Sequence, residues 1–267
     1  MKNKKIIFMR KISVIAPLGT SPPVVTEFIQ YLEDGLKERV SDLTVILTQD
    51  PYVKACGDLV EQAILDKYPH IHYHKRELSF TDIDTKDKLQ QFMIKMSKLL
   101  KDQVEKYHAN RIYINGAGGR KDALIALTII AQFFPVVGVY HIIRPDVQAF
   151  NIELERVRHE IEEIGKVEDK KSYYLKNKDK FEPIMYPHPS KYSVIKMPII
   201  PYPINELYKI GNLLKENKVK IKDTKLSRDY IENLVKLGIF HSNGSYLYRT
   251  DEGSFFLKLI KIVLGNI

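Results

Sequence analysis

Two short glycine-containing segments combine small residues with groups that attract anions. Residues 116–121, GAGGRK, follow a short apolar run and end in Arg120 and Lys121 at the start of a predicted helix. Residues 19–23, GTSPP, follow an earlier apolar run in the same way. Backbone N–H groups at a helix N-terminus bind phosphate, and two cations there are unfavourable unless an anion neutralises them. Both segments therefore predict an anionic ligand.

The candidate ligand-binding residues are the small and cationic residues of these segments: Gly19, Thr20, Ser21, Gly116, Gly118, Gly119, Arg120 and Lys121. A glycine-rich segment after a strand can also be only a tight turn. Neither segment matches the Rossmann G-x-G-x-x-G or the Walker G-x-x-x-x-G-K-[ST] pattern. The glycines alone therefore leave both interpretations open.

Apolar runs and helical patterns alternate along the first half of the chain. Buried strands are predicted at residues 11–18, 43–48, 111–115 and 136–143, and a strand with a poorer pattern at residues 71–74. Helices are predicted at residues 22–40, 53–68, 85–107 and 122–134. Such alternation is typical of a parallel sheet with helices on both faces. We therefore predict an α/β, Rossmann-like domain over residues 1–165.

The predicted fold brings the two segments together. In open parallel sheets, ligands bind beyond the carboxyl ends of the strands where strand order reverses, and the first and fourth strands commonly flank that point. Residues 19–23 and 116–121 follow predicted strands of these two positions. This placement favours one shared anion site over two unrelated tight turns.

Beyond residue 165 the pattern changes twice. Residues 166–202 are rich in lysine, tyrosine and proline and predict a solvated insertion or linker with one edge strand near its end. Residues 203–267 predict two helices, two short strands around Asn243 and Gly244, and a last helix. Through LVKLGIF and YLYRTDEG, this part resembles a small winged helix-turn-helix domain.

The resemblance implies possible contact with DNA, but the charge pattern disfavours it. The exposed side of the candidate recognition helix mixes both charges, in Arg228, Asp229, Glu232, Asn233 and Lys236. Such a surface binds phosphate weakly. The domain can equally serve dimerisation or packing.

Composition sets further bounds. The net charge of +9 favours an anionic partner but is also common where surface lysines serve solubility, so charge alone does not decide between them. No apolar run reaches the roughly 18 residues of a membrane span, so we expect a cytoplasmic protein without membrane contact. Cys56, the single cysteine, is expected in the core. His70, His72 and His74 alternate along a probable strand without supporting carboxylate or cysteine spacing, so neither a metal site nor a cofactor is expected.

VIAPLGTSPPVVTEFIQYL and INGAGGRKDALIALTIIAQF together resemble the CARF domain, the CRISPR-associated Rossmann fold that senses cyclic oligoadenylates in type III antiviral defence. The resemblance covers about residues 11–143 and includes both candidate loops in the expected order. It implies a homodimer whose two crevices merge into one cradle for cyclic tetra- or hexa-adenylate. A CARF domain followed by a winged helix is a known arrangement in this group.

No effector nuclease signature accompanies the CARF-like part. An Arg and a His separated by four to six residues, as in HEPN ribonucleases, do not occur, and RVRHE at residues 156–160 has the wrong spacing. Two roles follow from the resemblance: a metal-independent ring nuclease, or a ligand-responsive regulator of DNA. An unrelated nucleotide-binding or transferase enzyme on a Rossmann scaffold is a third class.

Ring cleavage would need few chemical groups. A ribose 2'-hydroxyl can attack its own phosphate, so the protein must orient that hydroxyl and stabilise the charge on phosphorus. Lys121 is the candidate for the charge and Ser21 for the orientation, with Thr20 in support, while Arg120 would bind phosphate or stack on an adenine. These segments contain no histidine or carboxylate, and Asp122 directly after the second segment is the one carboxylate beside them, so slow catalysis is expected.

Overall fold

A six-stranded sheet forms the centre of the larger part of the protein. The computed structural model describes residues 11–265, so residues 1–10 and 266–267 of the predicted domain ranges lie outside it. From edge to edge the strands are β3 (His72–Glu77), β2 (Asp42–Leu47), β1 (Ile12–Pro17), β4 (Arg111–Asn115), β5 (Gly138–Ile143) and β6 (Ser193–Met197). Strands β1 to β5 are parallel, and β6 is antiparallel to β5. The predicted mixed α/β fold with a mainly parallel sheet is confirmed.

Helices cover both faces of this sheet. Those that connect the parallel strands are α1 (Pro23–Gln30), α2 (Pro51–Lys67), α3 (Lys86–Glu105) and α4 (Lys121–Ala131). Val14 and Ala16 of β1 pack into the core shared with α1 and α2, whereas Ile15 packs into the core shared with α3 and α4. Strands buried on both faces need a nearly continuous apolar run, which β1 has.

The segment after β5 is folded more completely than its sequence predicts. It contains α5 (Val147–Arg156), α6 (Arg158–Ile164), α7 (Lys170–Lys176) and α8 (Lys178–Met185) ahead of the edge strand β6. Tyr174, Phe181 and Met185 are at most 1% exposed and belong to the same core as α1 and α2. The prediction of a solvated insertion was therefore wrong. The high lysine content suggested an exposed segment, whereas apolar side chains on one side of these helices are buried.

Residues 203–265, hereafter the C-terminal unit, form a small sheet with three helices. The elements are α9 (Ile204–Lys215), β7 (Lys218–Lys220), α10 (Arg228–Lys236), β8 (Phe240–Ser242), β9 (Tyr246–Arg249) and α11 (Asp251–Leu264). The antiparallel sheet has the order β7, β9, β8, and β7 is a strand that the sequence did not predict. Leu214, Phe240 and Leu247 lie in the core of the unit. Ser227 and Thr250 cap α10 and α11 by accepting hydrogen bonds from backbone N–H groups.

The C-terminal unit packs directly on the helical layer of α3 and α4. Phe133, in the turn after α4, and Tyr202, directly before the unit, pack against the apolar core of the unit and edge-on against each other, with 5.7 Å between their ring centroids. The Tyr202 N–H donates to the Gln132 carbonyl at 2.8 Å. Lys86 at the start of α3 pairs with Glu252 of α11 at 2.6 Å. The two parts therefore share an interface with both apolar and ionic contacts.

Candidate ligand-binding cleft at the strand-order reversal

The two glycine-containing loops contact each other at the carboxyl ends of β1 and β4. A Cβ atom on Gly118 would lie 2.2 Å from the Pro17 carbonyl oxygen, and one on Gly19 would lie 3.2 Å from the Gly119 nitrogen. Gly119 also has a φ of +77°, a conformation that side chains disfavour. Close packing between backbones therefore explains part of the glycine pattern.

Gly116 has a structural role within this arrangement. It is buried, its N–H donates to the Tyr140 carbonyl at 2.7 Å, and a Cβ there would lie 2.2 Å from Leu124. Its N–H group is therefore already engaged within the protein. Asn115 beside it is fully buried, donates to the Val24 carbonyl at 2.9 Å and accepts from the Ala117 N–H at 2.9 Å.

A cleft of about 470 Å³ opens beside the paired loops. Four of the predicted ligand-binding residues line it, namely Gly19, Thr20, Gly119 and Arg120. Other strand ends contribute polar side chains, of Thr48, Asp50, Thr81 and Asp82, which the sequence analysis did not select. Ser21, Gly116, Gly118 and Lys121 do not line this cleft. The predicted residues thus fall into a group inside the cleft and a group beside it.

The N-termini of α1 and α4 differ in the donors that they offer. Pro22 and Pro23 at the start of α1 carry no N–H, so this end lacks two of the donors expected of a helix N-terminus. Helix α4 starts at the exposed Lys121, and its N-cap residue Arg120 makes no side-chain capping hydrogen bond. The anion-binding potential is therefore concentrated at α4.

Arg120 is held by carboxylates. Its guanidinium group pairs with Asp82, from the segment after β3, and lies 3.7 Å from the Asp122 carboxylate. The Arg120 side chain is 60% exposed, so these pairs contribute little stability. A phosphate at the mouth of the cleft would compete with Asp82 for this arginine.

A buried ion pair ties α1 to the end of β5. The Glu27 carboxylate accepts from the Arg144 guanidinium, and both side chains are at most 7% exposed. Burial raises the pKa of Glu27 to about 7, although Arg144 beside it acts in the opposite direction. The sequence analysis did not predict this pair. The indication in the sequence is Glu27, a charged residue among the apolar residues of α1. The pair and Asn115 together fix α1 against the sheet.

His70, His72 and His74 lie on the edge strand β3 and in the loop before it. His70 pairs with Glu33 at 3.0 Å and His74 with Asp42 at 3.1 Å, whereas His72 is mostly exposed. Within residues 11–265, no group of three or more histidine, cysteine, aspartate or glutamate side chains is arranged to hold a metal ion. None of the helices in that range is long and apolar enough to cross a membrane.

The fold and this cleft define a Rossmann-like α/β protein with a candidate ligand cleft at the reversal of strand order. The chain belongs to the CRISPR-associated protein NE0113 family, whose model matches residues 21–232. No curated protein matches the chain.

Among solved structures, the chain is similar to Enterococcus italicus Csm6 bound to cyclic hexa-2'-fluoro-hexa-dAMP. The identity is 14%, the TM-score is 0.47, and the match covers 94% of this chain. The chain spans 54% of the length of that protein.

The contact between the loops predicts a specific effect on stability. Gly118→Ala should destabilise the protein by about 1–3 kcal/mol, since the added methyl group meets a backbone oxygen that cannot move independently. Gly35→Ala is the matched control, because its methyl group would meet only Tyr31 at an ordinary 3.6 Å. Urea denaturation measures both variants. Equal stability of the Gly118→Ala protein and the wild type would contradict the close packing.

Proposed function

We propose that the cleft and the adjacent start of α4 bind a cyclic oligoadenylate. The observation that carries the proposal is the pairing of the two loops at the strand-order reversal, with Arg120 and Lys121 at a helix N-terminus beside a cleft of about 470 Å³. Membership of a CRISPR-associated family and the resemblance of both loops to the CARF domain support this ligand class. In the bound state, phosphate replaces Asp82 as the partner of Arg120.

The division of the predicted residues supports a ligand larger than the cleft. Thr20 and Arg120 line the cleft, whereas Ser21 and Lys121 lie outside it. A ligand that contacts all four residues must extend past the start of α4. A ring with two-fold symmetry meets this requirement when two copies of the chain present their clefts to one another, which is an isologous arrangement.

We further propose that the protein cleaves the ring slowly and without metal. The ribose 2'-oxygen bonds to the adjacent phosphorus, the bond from phosphorus to the 5'-oxygen breaks, and the 2'-hydroxyl proton is finally carried by the 5'-oxygen. The products carry 2',3'-cyclic phosphate and 5'-hydroxyl ends. Lys121 stabilises the additional negative charge on phosphorus, and Ser21 orients the attacking hydroxyl.

The cleavage proposal is tested by incubation of the purified protein with cyclic tetra- and hexa-adenylate in EDTA. We expect linear products with 2',3'-cyclic phosphate ends, separated by liquid chromatography. Lys121→Ala should slow cleavage at saturating ligand by about 100- to 1000-fold and weaken binding less, because Arg120 and the backbone N–H groups remain. Ser21→Ala should show a milder loss.

Lys98→Ala, which removes an exposed lysine in α3, is the matched control and should cleave at the wild-type rate. Rings that remain intact after long incubation at stoichiometric protein would exclude the nuclease. Cleavage by Lys121→Ala at the wild-type rate would remove this lysine from the mechanism.

The dimer is tested through the apolar surface of α4. Ile125 and Ile129 lie one turn apart on this helix and are 61% and 41% exposed. We propose that they pack against a second copy, so Ile125→Asp should convert a dimer into a monomer in light scattering at micromolar protein. Leu65→Asp, at an apolar position on α2 that is as exposed as Ile129, should leave the dimer intact. A wild-type protein that is monomeric with and without ligand would exclude the shared site.

A second candidate function is a ligand-responsive regulator that binds DNA without cleaving the ring. The order of helices and strands in the C-terminal unit favours it, since that order is expected of a winged helix-turn-helix domain. The net charge of +9 over the whole chain also favours an anionic partner. The α10 surface mixes both charges, with Arg228 3.1 Å from Glu232, and this mixture disfavours tight phosphate binding although the exposed pair itself is weak. Gel-shift assays with duplex promoter DNA should show a ligand-dependent shift; no shift in either condition would exclude this role.

A further inference from the structure

One face of the small sheet in the C-terminal unit does not pack against the core of that unit. Because side chains alternate along strands, Val219 and Leu247 point toward the helices, where Leu247 is fully buried. The neighbouring positions point the other way. These residues, hereafter the outer face, are Lys218, Lys220, His241, Tyr246 and Tyr248.

Three aromatic rings lie side by side on the outer face. The ring centroids of Tyr246 and Tyr248 are 6.5 Å apart, and those of His241 and Tyr248 are also 6.5 Å apart. The rings are tilted by 49° and 36° rather than stacked, so they do not cover one another. Each ring therefore keeps a flat surface on which a planar group can stack.

Two lysines accompany the rings. Lys218 lies opposite Tyr248 and Lys220 opposite Tyr246 in the strand register, and both lysines are exposed. Neither has a carboxylate partner in any ion pair formed among residues 11–265, whereas Arg228 on α10 is neutralised by Glu232. The Lys218 ammonium group rests 4.1 Å from the centre of the Tyr246 ring, an exposed contact that a better partner can displace.

Lysines without a carboxylate partner, next to aromatic rings that do not stack on one another, match one class of ligand. Phosphates pair with lysines, and unpaired bases stack on aromatic rings irrespective of sequence. A duplex keeps its bases stacked inside the helix and offers only its phosphates. We propose that the outer face binds single-stranded nucleic acid, with bases on Tyr246, Tyr248 and His241 and phosphates at Lys218 and Lys220.

This binding surface is separate from the cleft and from α10, so it depends on neither role proposed above. The test uses the full chain and a fluorescein-labelled oligouridine in fluorescence anisotropy, with a duplex of equal length and a polyglutamate peptide as competitors. Tyr246→Ala and Tyr248→Ala should each weaken binding by about 5- to 150-fold. Tyr246→Phe and Tyr248→Phe keep the rings and should bind like the wild type.

The contribution of Lys218 and Lys220 is measured separately, through the salt dependence of oligouridine affinity. Lys218→Ala combined with Lys220→Ala should reduce the slope of log affinity against log salt by about 1.4, which corresponds to the loss of two phosphate contacts on a single strand. Tyr208→Ala, an exposed tyrosine on α9 that is 42% accessible, is the matched control and should leave affinity unchanged. Thermal denaturation confirms that each variant is folded.

Three outcomes would overturn the proposal. They are the absence of oligouridine binding at low salt, equal binding by folded variants that lack the tyrosine rings, and competition by the duplex or by polyglutamate that equals competition by unlabelled oligouridine. The last outcome would assign the face to anionic surfaces in general.

Discussion

Close backbone packing between the loops after β1 and β4 is the constraint on which the candidate site depends. Gly118 approaches the Pro17 carbonyl so closely that no side chain fits, and Gly19 lies against Gly119. The two strands are neighbours in the sheet, but the helices that follow them lie on opposite faces at the reversal of strand order, and this contact joins the two loops. It aligns the start of α4 with the cleft, so the placement of Arg120 and Lys121 follows from the glycines.

Electrostatic groups around the cleft are arranged unevenly. The prolines at the start of α1 remove donors there, so positive potential is concentrated at α4, where Arg120 is paired with Asp82. Exchange of that carboxylate for phosphate couples ligand binding to the segment after β3. Glu27 of α1 and Arg144 after β5 form a buried ion pair. Removal of either partner would leave the charge of the other one buried and uncompensated.

The C-terminal unit separates two surfaces of different chemistry. Helix α10 carries both charges, with Arg228 occupied by Glu232, whereas the outer face of the sheet combines rings with unpaired lysines. The unit is anchored to α3 and α4 through Tyr202, Phe133 and the pair of Lys86 with Glu252.

The β-α order, the parallel sheet and the two loops at the reversal of strand order were all predictable from the sequence, because they follow from periodicity and from the order of the elements along the chain. The sequence analysis did not predict α7 and α8, because Tyr174 and Phe181, which are buried, stand among many lysines in the sequence. It also did not predict the strand β7. Only the tertiary structure separated Thr20 and Arg120, which line the cleft, from Ser21 and Lys121, which do not. It alone also brought Asp82, Asn115 and the Glu27 and Arg144 pair to the site, since contacts between residues distant in sequence depend on how the elements pack.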